Sequence, residues 1–323
     1  MPHIYYVATP GLANRLRALA GYYALAQIQG LDLHINWVIN RACDSAFEHL
    51  FAPLNLDGLY FVQNSADVPD SSADTVAHYD QSPALPTIWK QHGQDLATEE
   101  DFARIALYLL RSLQPTDPLR DRIEHLSVAL QIQDRIGVHI RMTDNLNQYG
   151  SWAAFGFEQS KVSKLQGFRD YLAQLESERT PVFLATDNAA IETELTSRFK
   201  NVACVPKTYD MSSFTDHHRR NNFNGRVSVF SRVAARIYKA MGLPHSHLGW
   251  IPDASGNLRT TSMEDAVIDL FLLSRCSSVV ATYWSSFGSM GALIGKRNCM
   301  IMIDKEIHSH SMISHWNAFR CEK

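Results

Sequence analysis

Residues 4–37, IYYVATPGLANRLRALAGYYALAQIQGLDLHINW, decide the fold class. Ile4 to Val7 is a short, continuous apolar run of the kind that forms a buried strand. Pro10 and Gly11 mark a turn, and Arg15 to Gln29 then carries a helical pattern closed by Gly30. Leu33 to Trp37 reads as a second strand. A strand, a helix and another strand in so short a span form one parallel βα unit, because a parallel return needs a crossover that a helix supplies.

The same alternation continues along the chain. Val62 to Gln94, rich in Ser, Asp, Pro and Gln, reads as irregular loop, and Glu99 to Leu113 as a helix that Pro115 and Pro118 end. A second series opens with the strand Arg135 to Ile140 and continues with strands Val182 to Ala185, Val202 to Val205, Val279 to Thr282 and Cys299 to Ile303. Helices are expected near Lys164–Glu178, Ala189–Phe199, Val227–Met241 and Met263–Ser274, and Asp210 to Asn224 reads as an insertion loop. The pattern predicts an α/β chain of two doubly wound halves, divided within Pro115–Gln133 into 1–125 and 126–323, with the last helix able to return to the first half. Such a chain binds ligands in a cleft at the carboxyl ends of its strands.

Composition sets the outer limits. The 323 residues are enough for two cores, and 46% apolar with 20% charged residues is a globular balance. A formal net charge of −3 excludes a general nucleic-acid or membrane-surface binder, so any anion site must rest on local charge. Cys43, Cys204, Cys276, Cys299 and Cys321 are scattered without CxxC spacing, as expected of reduced thiols in a cytosolic protein. MPHIYYVATPG lacks a leader pattern, and the longest apolar stretch, Leu270 to Ile294, is broken by Ser274, Arg275, Ser277 and Ser278. The expectation is a chain without a membrane span, cytoplasmic or peripheral to the inner membrane.

Four stretches could carry chemistry. TPGLANRLRALAG places a helix start near Asn14 after Gly11, where backbone N–H groups could hold a phosphate with Arg15 and Arg17 adding charge; an ordinary βα turn with surface arginines would look the same. GVHIRMTDN runs an apolar strand into His139, Arg141, Thr143 and Asp144, with His139 and Arg141 on one face. A guanidinium there suits a diphosphate, and an interior salt bridge is its alternative. VFLATDN ends in Asp187, either a partner for Arg141 or the N-cap of the helix that follows. In AVIDLFLLSRCSSVVATYWSSFGSMGALIG, Ser285, Ser286 and Gly288 begin a helix as a neutral anion site. Asp269, alone among apolar neighbours, could accept from the N1–H and 2-amino group of guanine, or serve as a cap or buried hydrogen-bonding group.

Together these stretches resemble the superfamily of fucosyltransferases that includes the α-1,6-fucosyltransferases, the rhizobial nodulation fucosyltransferase and the protein O-fucosyltransferases. Their H-x-R-R-x-D motif appears as HIRMTD, their A-T-D strand end as Ala185 to Asp187, and their D-x-x-x-L-S…T-x-x-S block as Asp269 to Ser274 and Thr282 to Ser285. G-x-x-N-R-L-R-A-L at the N-terminus is similar to the bacterial and O-fucosyl branches. The resemblance implies the GT-B fold, two Rossmann-like domains facing across a cleft, with an N-terminal acceptor domain and a C-terminal donor domain. It implies that His139 and Asp269 hold guanine, that Arg141 and Ser285 hold the diphosphate, that Gly11 and Asn14 approach it, and that Asp144 and Asp187 support the arginine. The implied activity is metal-independent, inverting transfer of fucose or a related sugar from a GDP-sugar to a glycan or lipid-linked oligosaccharide, without a cofactor.

Two positions depart from the family pattern. Met142 stands where the motif has its second arginine, and Asn145 where the α-1,6 branch has a proton-relay lysine, with no carboxylate before Glu158. The family's base assignment therefore does not transfer, and the alternatives are another nucleotide-sugar donor or a catalytically silent sugar-nucleotide-binding protein. No D-x-D motif occurs. His308, His310 and His315 read as metal ligands or as a solvated terminal stretch, and His217 to Arg220 as an exposed basic loop or an acceptor or diphosphate contact.

Overall fold

The computed structural model describes residues 3–40, 42–62, 75–79, 85–141, 165–207, 261–283 and 285–310. The first half lays down β1 (His3–Ala8), α1 (Leu12–Gln29), β2 (Asp32–Trp37), α2 (Phe47–Leu50), β3 (Leu59–Val62), β4 (Thr75–Tyr79) and α3 (Leu85–Ile88). Its sheet has the order β3-β2-β1-β4, with every pairing parallel. Helices α4 (Glu99–Ser112) and α5 (Asp117–Ala129) lead to the second half. There follow β5 (Ile136–Ile140), α6 (Leu165–Ser177), β6 (Val182–Thr186), α7 (Ala189–Arg198) and β7 (Val202–Ala203). The chain closes with α8 (Met263–Leu273), β8 (Ser278–Thr282), α9 (Ser286–Gly295), β9 (Asn298–Ile303) and β10 (Glu306–His310). The second sheet has the order β10-β9-β8-β5-β6-β7, parallel except for the hairpin that adds β10.

Two expectations are corrected. Val62 to Gln94 is not wholly irregular: β4 pairs with β1 as an edge strand, and α3 follows it. A five-residue strand among Ser, Asp and Pro is too short to impose a period on its surroundings. The stretch around His308 and His310 is a strand rather than a tail, because residues 306–310 pair back onto β9, with His308 still exposed as expected. The boundary stretch 115–133 is largely filled by α5. The expected loop 210–224 and helix 227–241 lie outside the described residues.

The strand orders locate the cleft. In each sheet the direction of winding reverses beside the first strand of the half, between β1 and β4 and between β5 and β8. A crevice opens at the carboxyl ends of the strands where such a reversal occurs. The carboxyl ends of β1, β5 and β8 therefore border it.

Packing brings the two crevices together. Helix α1 is buried on nearly its whole circumference, as its Leu/Ala/Tyr content requires. One continuous apolar cluster joins Ile4, Leu16, Leu19 and Tyr22 of the first half, through Phe102 and Leu109 of α4, to Leu270, Phe271, Val279 and Met290 of the second. The rings of Phe51 and Phe271 lie 6.5 Å apart across this joint. Val138, Ile140, Val182 and Leu184 face the other way, onto Phe168 and Leu172 of α6. His139, alternating with Val138 and Ile140, faces the side on which α8 and α9 pack.

Glycine spacing sets how closely α9 approaches. A Cβ at Gly288 would sit 2.6 Å from the Ala281 Cβ and 3.1 Å from the His139 Cβ, and one at Gly291 would sit 3.0 Å from the Leu273 Cβ. Gly288→Ala should gain up to ~1 kcal/mol of helix propensity but lose about 1–3 kcal/mol to overpacking against the sheet. The net expectation is a lower urea-unfolding midpoint; an unchanged or higher midpoint would mean that α9 is less tightly seated than this.

Candidate functional site

Arg141 leaves the end of β5 with its backbone fixed before its side chain acts. Its N–H donates to Thr282 Oγ1 at 3.0 Å, and that hydroxyl donates to the His139 carbonyl, also at 3.0 Å. Thr282 thus ties the carboxyl ends of β5 and β8 together at the reversal point. The guanidinium Nε lies 3.5 Å from Asp187 Oδ2, with the Arg141 side chain 31% exposed and that of Asp187 11%. The two readings of Asp187 are separated by its neighbour: Asn188 caps α7, accepting from the Ile191 N–H at 3.1 Å, while Asp187 faces Arg141.

His139 is buried, its ring stacked on Phe287 at 5.0 Å. Burial pushes its imidazole down to about 3, helped by the positive Arg141 and Lys207 and opposed by Asp187. It is neutral at physiological pH, and its Nδ1 has no partner among the described residues.

Two helix N-termini meet beside this group. Helices α4, α7 and α8 are capped by the side chains of Thr98, Asn188 and Ser262. Helices α1 and α9, beginning after Gly11 and Ser285, have no side-chain cap. Their first turns touch: Ser286 Oγ donates to Asn14 Oδ1 at 2.6 Å, linking the two halves. First-turn N–H groups and the positive ends of two helix dipoles are therefore presented at one place, next to Arg141.

Asp269 lies on α8, on the face of the sheet that His139 occupies. Its Oδ2 is 3.2 Å from Lys207 Nζ, which also lies 2.7 Å from Glu192 Oε2 and donates to the Thr186 carbonyl at 3.3 Å. Burial pushes the Asp269 carboxyl up to about 6, with Lys207 holding it down against that. Asp269 Oδ1 is buried without a partner among the described residues. Neither Lys207 nor Glu192 stood out in the sequence. Glu192 has the place of an ordinary helix-surface charge, and the one signal for Lys207 is a cation two positions after the apolar run 202–205, past Pro206.

Arg15 is corrected. It does not project toward a donor: it is 0% exposed, and its guanidinium donates to the carbonyls of Pro10, Thr9 (3.1 Å) and Val38 (2.7 Å) and to Asn40 Oδ1 (2.9 Å), over the Trp37 ring. Arg17 is also buried, which pushes its guanidinium down to about 10. Ser286 and Asn14 meet directly, and Phe287 of the same helical turn stacks on His139; Asp144, His217 to Arg220 and His315 lie outside the described residues. Among the described residues no group of three His, Cys, Asp or Glu could hold a metal, and no helix is long and apolar enough to cross a membrane.

Two doubly wound, mainly parallel sheets joined through α1 and α9, with the ends of β1, β5 and β8 at one cleft, define the GT-B fold. Among solved structures this fold is similar to the fucosyltransferase NodZ from Bradyrhizobium, at a TM-score of 0.52 and 18% identity over 93% of this chain and 95% of that one. It is similar to an Arabidopsis thaliana FUT1 mutant in complex with GDP, at 0.53 and 14% identity over 96% and 74% of the two chains. It is also similar to POFUT1 in its apo form, at 0.50 and 10% identity over 93% and 97%. The sequence matches no protein-family model and no curated protein.

The corrected role of Arg15 has a measurable consequence. Arg15→Lys keeps the charge but cannot reproduce a fork that reaches four acceptors, so it should cost about 2–4 kcal/mol in chemical denaturation. A variant of unchanged stability but weakened nucleotide binding would restore the donor-contact reading.

Proposed function

We propose that this chain is a glycosyltransferase that takes fucose or a related sugar from a GDP-sugar and passes it to a hydroxyl of a glycan or lipid-linked oligosaccharide. The observation that carries the reading is Arg141, backbone-locked at the β5–β8 reversal and faced by Asp187, where the uncapped N-termini of α1 and α9 converge. A diphosphate matches this arrangement in charge and in hydrogen-bond demand. Further support comes from the buried, unpartnered His139 Nδ1 and Asp269 Oδ1, which lie on one face of the sheet and suit the edge of a purine that offers donors and an acceptor. Gly11 fits as well. Its backbone is extended and among the described residues a Cβ there would meet only the Ala42 carbonyl at 3.7 Å, so these residues leave room for a side chain that an approaching phosphate would not.

In this reading residues 126–323 hold the donor and residues 1–125 receive the acceptor. The bond from the anomeric carbon to the β-phosphate oxygen breaks as an acceptor hydroxyl attacks from the opposite face, inverting the centre and releasing GDP. Negative charge grows on the β-phosphate, and Arg141, Ser285 and the two helix N-termini stabilise it in place of a metal ion. Asp187 orients the guanidinium. Asp144, at the end of the HIRMTD motif, is proposed to support it with Asp187.

Four measurements test this. GDP and GDP-fucose should raise the melting temperature while UDP and CMP should not, by mass action on the folded state; equal stabilisation by UDP would overturn the guanine assignment. Arg141→Lys keeps a charge without the bidentate fork, so kcat at saturating donor should fall on the order of 10²-fold. Near-wild-type turnover by that variant would remove the arginine from the mechanism. Transfer should survive excess EDTA, and complete loss restored by one divalent metal would place the reaction in a different class. GDP binding without release of GDP from GDP-fucose in the presence of glycan acceptors would leave a sugar-nucleotide-binding protein.

A further inference from the structure

Lys207 has no part in the reaction as described, yet its side chain is fully buried immediately behind the site, at the end of β6. It gathers three elements: the Thr186 carbonyl of β6, Glu192 of α7 and Asp269 of α8. Among the described residues the charges around Asp269 are Lys207, Glu192 and Asp265, the last one helical turn earlier and 3.3 Å from Arg122 of α5; Cys204 lies in the same field, and the neutral His139 faces it from β5. Two buried carboxylates thus share one ammonium. The grip is one-sided, since Lys207 holds Asp269 Oδ2 and leaves Oδ1 unpartnered among the described residues. A tie serving stability alone gains nothing from a buried, unsatisfied carboxylate oxygen, which carries the full cost of its lost hydration.

We propose that Lys207 is a positioning residue for the nucleobase: by holding Asp269 Oδ2 it presents Oδ1 as the acceptor that distinguishes guanine, with its 2-amino donor, from hypoxanthine. The inference rests on the guanine reading above. Without Lys207, Asp269 is buried beside Glu192 with no cation of its own among the described residues and takes up a proton, and a neutral carboxyl no longer offers a charged acceptor to both N1–H and the 2-amino group.

GDP and IDP differ only in that amino group, so their phosphates titrate alike and cancel in the ratio of their dissociation constants. Calorimetric titration of the full chain should give wild-type protein a preference for GDP of ~10-fold or more at pH 7.5, the size expected for one charge-assisted hydrogen bond. The preference should decline as pH is lowered through about 6, where Asp269 takes up its proton. Lys207→Met should lower the ratio toward one at pH 7.5 and recover it at higher pH. A tie acting only on stability would lower the melting temperature and leave the ratio alone, and that result overturns the proposal. If Lys207→Met does not fold, the wild-type pH series decides, because a ratio constant down to pH 5 also overturns it. Asp269→Asn separates the two levels. Loss of the preference in Asp269→Asn with its retention in Lys207→Met sinks only the role of Lys207, whereas its retention in Asp269→Asn sinks the guanine reading itself.

Discussion

The guanidinium of Arg15 is a buried cation whose hydrogen-bond partners are all neutral, and the geometry of the cleft depends on it. Its donors are met by the carbonyls of Thr9, Pro10 and Val38 and by Asn40. Asn40 in turn donates to the Thr9 carbonyl at 2.7 Å and accepts from the Ala42 and Cys43 N–H groups. The loops leaving β1 and β2 are therefore one hydrogen-bonded body, with their carbonyls turned inward onto the cation. That fixes where α1 begins, and so where Asn14 meets α9. A charge held away from water also acts at a distance: Arg15 adds positive potential behind the first turn of α1 without touching any ligand.

The second half supplies the opposing wall by a different device. Glycines at 288 and 291 let α9 settle on the sheet and on α8, which brings Ser285 and Ser286 beside Arg141 and lays Phe287 on His139. Close packing and incomplete polar satisfaction coexist here. His139 Nδ1 and Asp269 Oδ1 are the kind of exception that folded proteins tolerate where a ligand completes the bonding.

The fold was largely legible because its strands are short apolar runs between helical periods, and their expected bounds differ from those observed by one or two residues. Strands β3, β4 and β10 escaped: β3 is only four residues long, and β4 and β10 are each recruited by a neighbour, β1 or β9, rather than by their own pattern. At the site, His139, Arg141 and the Ser285–Ser286 pair were legible because polar residues directly after buried strands have few other uses. Arg15 was misread because an arginine that binds phosphate and one that binds loop carbonyls follow the same glycine; the difference lies in Val38 and Asn40, more than twenty positions away. Asp187 and Asn188 are both good caps, and sequence cannot say which of two adjacent residues turns inward. The Lys207–Asp269 pairing joins distant segments, and neither residue alone announces it.

The apolar cluster that runs unbroken from β1 and α1 into α8 and α9 bears on how the chain comes to be folded. Helix α1 occupies residues 12–29, but α9, which covers part of it, is made of residues 286–295. During synthesis the N-terminal sheet emerges with one face of its central helix bare, and it stays bare until residues 286–295 have left the ribosome. The early half is then a customer for chaperones rather than a finished unit. A break anywhere before α9, by truncation or by a stalled ribosome, leaves the first half with the apolar surface that α9 would have sealed.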